Sequence, residues 1–140
     1  MKTLSAEMLW LPMACVLLAL PLAAHHSISS EFDTSKTFNV KGTLTKVEWV
    51  NPHVYIYIDG KDENGVAVAY SLEAGPPGSL RRAGVLKTLF NVGDQLTIEA
   101  YGTKDGTKNL GLVKSVTLPD GHTIVMGRDP NEVAKANKSD

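Results

Sequence analysis

From Val54 to Asp59 the chain reads VYIYID, and from Val66 to Ala74 it reads VAVAYSLEA. Strict alternation of apolar and polar residues is the mark of a strand with one face in a core and the other wet. In the first run Val54, Ile56 and Ile58 share a face, opposite Tyr55, Tyr57 and Asp59. In the second, Val66, Val68, Tyr70 and Leu72 share a face. KDENG lies between them, and its Asn64-Gly65 is a tight-turn signal, so the two runs are predicted to form a hairpin. QLTIEAYG follows later with Leu96, Ile98 and Ala100 as an inward set. NLGLVKSVTL comes after a KDGT turn, and PDG at 119–121 links it to a short last strand, HTIVM.

The first strand, NVKGTLTKVEWV, changes phase. Val40, Gly42 and Leu44 share one parity, whereas Val47 and Trp49 fall on the other. A bulge near Thr45–Lys46 returns both sets to one core, and Gly42 permits sharp coiling. One segment departs from the β pattern. In GSLRRAGVLKTLFNVGD, Ser79 is placed to cap a helix whose stripe is Leu80, Ala83, Leu86, Leu89 and Phe90. Gly84 inside it costs about 1 kcal/mol against alanine, so the helix is expected to be short or interrupted. Three strands, a helix and two or three strands is the order of a small OB-like barrel. The expected fold class is therefore all-β with one short helix, an antiparallel barrel of five to six strands; a simple antiparallel sandwich is the alternative. Residues 38–126 are assigned to this domain, 25–37 to an N-terminal arm and 127–140 to a polar tail expected to fray.

Ahead of the arm runs MLWLPMACVLLALPLAA, Met8 to Ala24. Its apolar core ends at Pro21 and is shorter than the roughly 20 residues a membrane span needs, but suits the h-region of a secretory leader. Residues 1–24 are thus expected to be a cleaved signal peptide, and the product to be periplasmic or secreted with no stable membrane insertion. Cleavage after Ala24 removes Cys15, the only cysteine, and leaves 116 residues with an unchanged formal charge of −1. That balance lacks the basic footprint of a nucleic-acid binder. A chain of this length buries roughly 65% of its unfolded surface, enough for one core without disulfides.

The motifs HHS, EFD, VEWVNPH and VGDQLTIEAY, behind such a leader, resemble those of an uncharacterised domain family of small exported bacterial proteins. The corresponding positions are His25–Ser27, Glu31–Asp33, Gly42–Trp49, Asn51–His53, Leu80–Arg82 and Gly93–Asp94. One departure stands at Val85, where members of that family often carry an aromatic shortly after the arginine pair. The resemblance implies the fold and export; it brings no established activity.

Four histidines carry most of the available chemistry. Cleavage after Ala24 makes His25 the first residue, whose free amine and imidazole Nδ1 can chelate one metal. A second imidazole, from His26 or His53, then completes a three-nitrogen set of the kind copper favours. Cleavage one residue earlier gives Ala-His-His, which can wrap Cu(II) in a square plane through His26. The bland alternative is an exposed terminus with solvated histidines. His53 follows Pro52 at the mouth of the second strand, on the parity of Tyr55 and Tyr57. His122, after the PDG turn, reads as an exposed hairpin residue. Tyr55 and Tyr57, flanked by Lys46 and Glu73, form a second candidate constellation, because the corresponding OB face commonly stacks bases or sugars on aromatics. The alternative is that the arm or the helix covers them. Arg81 and Arg82 read as solvated charge. Ser27 beside histidines is no triad, since neighbours on one extended arm cannot supply base and orienting acid at hydrogen-bonding distance. Glu31 and Asp33 read as solvated charges on the arm or as acceptors that orient a histidine. A non-enzymatic exported protein binding a small ligand or metal ion, copper above all, is the expectation. The alternative is an interaction module that engages a protein or glycan through Tyr55 and Tyr57.

Overall fold

The structure is a computed structural model that describes residues 28–127 and Asn137. The expected leader, His25, His26 and the remainder of the tail lie outside the described residues.

A single-turn helix α1 (Ile28–Glu31) leads into three strands, β1 (Phe32–Trp49), β2 (Val54–Lys61) and β3 (Ala67–Glu73). Helix α2 (Pro77–Arg82) and a 3-10 turn at Lys87–Leu89 follow, then β4 (Gln95–Thr103), β5 (Leu110–Thr117) and β6 (Thr123–Val125). The strands pair in the order β3-β2-β1-β4-β5-β6, and an additional β3–β5 pairing joins the sheet into a ring. That closing seam is parallel, with Ser71, Leu72 and Glu73 beside Leu110, Gly111 and Leu112; the other ladders are antiparallel. The all-β, OB-like expectation therefore holds, as a ring-like sheet with a short seam rather than a regular barrel. No helix among the described residues is long and apolar enough to cross a membrane.

The core is the set of inward parities. Leu44, Val54, Ile56, Ile58, Leu72, Leu96, Ile98 and Val113 are fully buried inside the ring. Each such side chain contributes about 1.5–3 kcal/mol by leaving water. β1 lines the core twice because its register against β2 shifts between Leu44 and Lys46, which leaves Thr45 as the bulged residue. Past it Val47 and Trp49 pack against the same core, and Trp49 lies 6.4 Å from the Phe90 ring. Gly42 is required at the bend for a steric reason: a Cβ there would sit 2.3 Å from the backbone oxygen of Asp59. β1 also begins earlier than the alternation suggests. Phe32 pairs with Thr103, and an irregularity separates it from the regular ladder that starts at Thr37. Phe32 is 3% exposed, so part of the polar arm is strand, anchored by its one aromatic.

Two local expectations are corrected. Ser79 does not cap α2; Pro76 occupies the N-cap with no side-chain bond, and the Ser79 hydroxyl instead accepts from Arg82. Proline suits the first helical turn because its missing N–H would be unpaired there anyway. The helix then stops at Gly84, whose φ is +84°. The N–H of Val85 bonds back to the Leu80 carbonyl and that of Gly84 to Arg81, a Schellman termination. The continuous stripe is therefore broken. Leu86 is exposed, and Val85 is buried in its place beside Leu80 and Phe90. At the other end of the chain, the Asn137 side chain accepts from the Val125 N–H at 2.9 Å and donates to its carbonyl at 3.2 Å. One tail residue thus covers exposed edge groups of β6, which unpaired would invite another strand.

Candidate functional site

The β2–β3 hairpin decides which side chains meet. Gly65 takes φ +78° and its N–H bonds to the Asp62 carbonyl, while the Asp62 N–H bonds to the Val66 carbonyl. The Asp62 carboxylate accepts from the N–H groups of Asn64 and Val66. This is a three-residue loop, Glu63-Asn64-Gly65, with glycine in the left-handed position, not a two-residue turn centred on Asn64-Gly65. The resulting register sets Tyr57 opposite Ser71 and Tyr55 opposite Glu73.

Glu73 is the charged residue buried at the seam, 8% exposed, because it ends β3 between β2 and β5. The β1–β2 turn, with its cis Asn51–Pro52 peptide, brings His53 over it. His53 Nδ1 lies 2.7 Å from Glu73 Oε1. A carboxylate can only accept, so Nδ1 carries the proton and, in the neutral ring, Nε2 presents a lone pair. This is how metal-binding histidines are commonly held: one nitrogen bonded to a carboxylate, the other aimed outward. Beside Glu73 a cleft of about 220 Å³ is bordered by Tyr55, Ser71, Leu110 and, from the chain's described start, Glu31 and Phe32. The N-terminal segment thus enters the fold along the same cleft. Among the described residues no three of His, Cys, Asp and Glu cluster as a metal cage.

The other half of the outward face is occupied by its own neighbours. The Tyr57 hydroxyl donates to Glu48 at 2.7 Å, Lys46 bonds Glu48, and the Lys46 ammonium stands 5.3 Å above the Tyr57 ring. Glu48 therefore titrates below its ordinary value, chiefly through Lys46 and then Tyr57, and Tyr57 above its own, chiefly through Glu48. A ligand stacking on Tyr57 would first have to displace Lys46. The two tyrosines share a face yet serve different neighbourhoods, Tyr55 the cleft and Tyr57 an ion pair. His122 is exposed beside Asp120, and Arg81 and Arg82 are exposed on α2. His25 and His26 lie outside the described residues.

Residues 13–127 match the model of a family of unknown function, DUF6152. The chain belongs to that family. No curated protein and no solved structure matches the chain. Membership agrees with the uncharacterised domain family that the motifs resemble and carries no activity with it. The His53–Glu73 pair was only half visible in the sequence. Glu73 stands on the outward parity of β3, but its pairing depends on a loop one residue longer than Asn-Gly alone suggests.

Proposed function

We propose that the protein is an exported metal-binding protein whose ion is held by the free amine and imidazole of His25 together with Nε2 of His53. Copper is the ion the nitrogen set suits best. One observation carries the reading: His53 Nδ1 is bonded to the buried Glu73 carboxylate at 2.7 Å, an arrangement that fixes the ring and leaves Nε2 for a ligand bond. Supporting it, Glu31 and Phe32 border the cleft beside Glu73, and His25 precedes Ile28 by only three residues. That is a reach of about 10 Å for extended chain. Glu73 acts as the orienting acceptor, in the role an outer-shell carboxylate plays at many histidine-ligated metals.

The test begins with intact mass of the exported chain, which fixes its first residue. Cu(II) titration by calorimetry then compares the native chain with His25→Ala, His53→Ala, Glu73→Gln and a variant carrying one extra N-terminal residue. Losses of at least about 10-fold are expected for His25→Ala, His53→Ala and the extended chain, and of about 10-fold for Glu73→Gln. Equal affinity in all five overturns the site. Loss with His25→Ala but not His53→Ala reduces it to a terminal chelate independent of the fold.

A further inference from the structure

A second cleft, of about 360 Å³, opens at the end of the ring between the β2–β3 loop and the β4–β5 loop. Its floor is inward-facing: Phe38 of β1 and Tyr70 of β3 sit on the parities that line the core. Phe38 rests over Gly102 and Gly111, which pair across β4 and β5; a Cβ on Gly111 would come within 3.1 Å of the ring. Tyr70 is 6% exposed and lines the cleft, yet its hydroxyl makes no hydrogen bond to any described residue. The ring is buried while the hydroxyl end faces the cleft, where its O–H is available to a ligand's acceptor. The rim carries three lysines against two acids. Lys36, Lys61 and Lys108 border it, and neither Lys61 nor Lys108 forms an ion pair among the described residues. The acids present, Asp62 and Glu63, belong to the β2–β3 loop, where Asp62 is engaged by two backbone N–H groups.

We infer that this mouth binds a small hydroxyaryl carboxylate. The ligand's hydroxyl oxygen accepts from the Tyr70 O–H at the floor, its ring lies against Phe38 and Leu110, and its carboxylate meets Lys61 and Lys108 at the rim. An apolar concavity with one unpaired polar group inside and charge at its edge is the usual anatomy of a small-molecule site, and barrel mouths are a usual place for one. The volume suits one ring with short substituents. Burial, with Asp62 and Glu63 nearby, raises the Tyr70 pKa, so the phenol keeps its proton as a donor. The inference is independent of the metal reading, since it uses neither His53 nor Glu73.

The test is metal-free. 4-Hydroxyphenylacetate is titrated into the purified protein and followed by NMR, with the resonances of Phe38, Tyr70 and Gly111 as reporters. A dissociation constant on the order of 100 µM is expected for a ligand of this size. Tyr70→Phe should weaken it about 10-fold while leaving phenylacetate, which lacks the hydroxyl, within about 2-fold. The Lys61→Gln/Lys108→Gln variant should weaken the acid at least about 5-fold and leave 4-hydroxyphenylacetamide unchanged. No shift at these reporters at millimolar probe overturns the proposal, as does tyramine binding as tightly as the acid. Equal binding of 4-hydroxyphenylacetate to native and Tyr70→Phe protein also overturns it.

Discussion

β3 carries two buried polar side chains three residues apart, and they have opposite surroundings. Glu73, on the outward face, is a carboxylate at 8% exposure that His53 meets at 2.7 Å. Tyr70, on the inward face, is a phenol at 6% exposure whose hydroxyl meets no described residue. Burying a polar group is tolerable when a partner replaces water and costly when none does. The fold supplies a partner for the group that carries a formal charge and leaves the neutral one open to the cleft. The two sites accordingly differ in kind. One is a bonded pair at the seam, and the other is a hydroxyl with no described partner beside a cleft.

The largest expected effect separates the Tyr70 ring from its hydroxyl. Tyr70→Ala removes an aromatic that packs against Gly60 and the core, and should cost about 3 kcal/mol in chemical denaturation. A loss below about 1 kcal/mol would mean that the mouth collapses freely and that Tyr70 is not part of a rigid wall. Next, His53→Ala withdraws a partner of a buried carboxylate and should cost about 2 kcal/mol. Glu73→Gln in that background should recover part of the loss. A double-mutant cycle on these positions measures the coupling directly, and a coupling near zero would place Glu73 and His53 beside one another without dependence. Third comes the reversal of sign. Tyr70→Phe deletes only the unpaired hydroxyl and should leave the protein between unchanged and about 1 kcal/mol more stable. If it instead destabilises by that amount, the hydroxyl has a partner and the contrast between the two residues fails.

The inward half of this contrast was legible in the sequence, and the outward half only in part. Alternation in VYIYID, VAVAYSLEA and QLTIEAYG locates the core, because a strand's period fixes which side chains share a face. The phase change in β1 even locates the bulge at Thr45, since Leu44 and Val47 can face one core only if a residue is skipped. What alternation does not fix is which outward residue stands beside which. That depends on loop length, and a slip of one residue changes every partner. Asn64-Gly65 announces a turn, and the even-numbered inward sets on both strands require an odd loop, so Glu73 was legible beside the tyrosines; which of them it faces, and that His53 bonds it, came with the fold. The same limit hid the cleft at Phe38 and Tyr70, which needs β1, β3, β4 and β5 assembled. α2 misled for a local reason: its apolar stripe continued through Gly84, where the left-handed backbone turned the chain and exchanged Leu86 for Val85.

The smallest effect tests whether burial, rather than bonding, makes Glu73 special. Glu99 is also an outward carboxylate with good partners, accepting from Thr37 and Lys114 at 2.9 Å and from Ser115 at 3.4 Å, but its side chain is 29% exposed. Lys114 first, and Thr37 next, hold its pKa below the ordinary 4.5. A carboxylate lowered in the fold binds protons more weakly there than in the unfolded chain. Its contribution is therefore complete above about pH 4.5 and is lost as pH falls through the folded value. Glu99→Gln should cost about 0.5 kcal/mol at pH 7, the size typical of a wet ion pair, and the difference from the native chain should shrink as pH falls below 4.5. Measured by urea denaturation across that range, a cost at pH 7 as large as that of His53→Ala would show that cross-strand bonding alone sets these energies. The seam's burial of Glu73 would then explain nothing further.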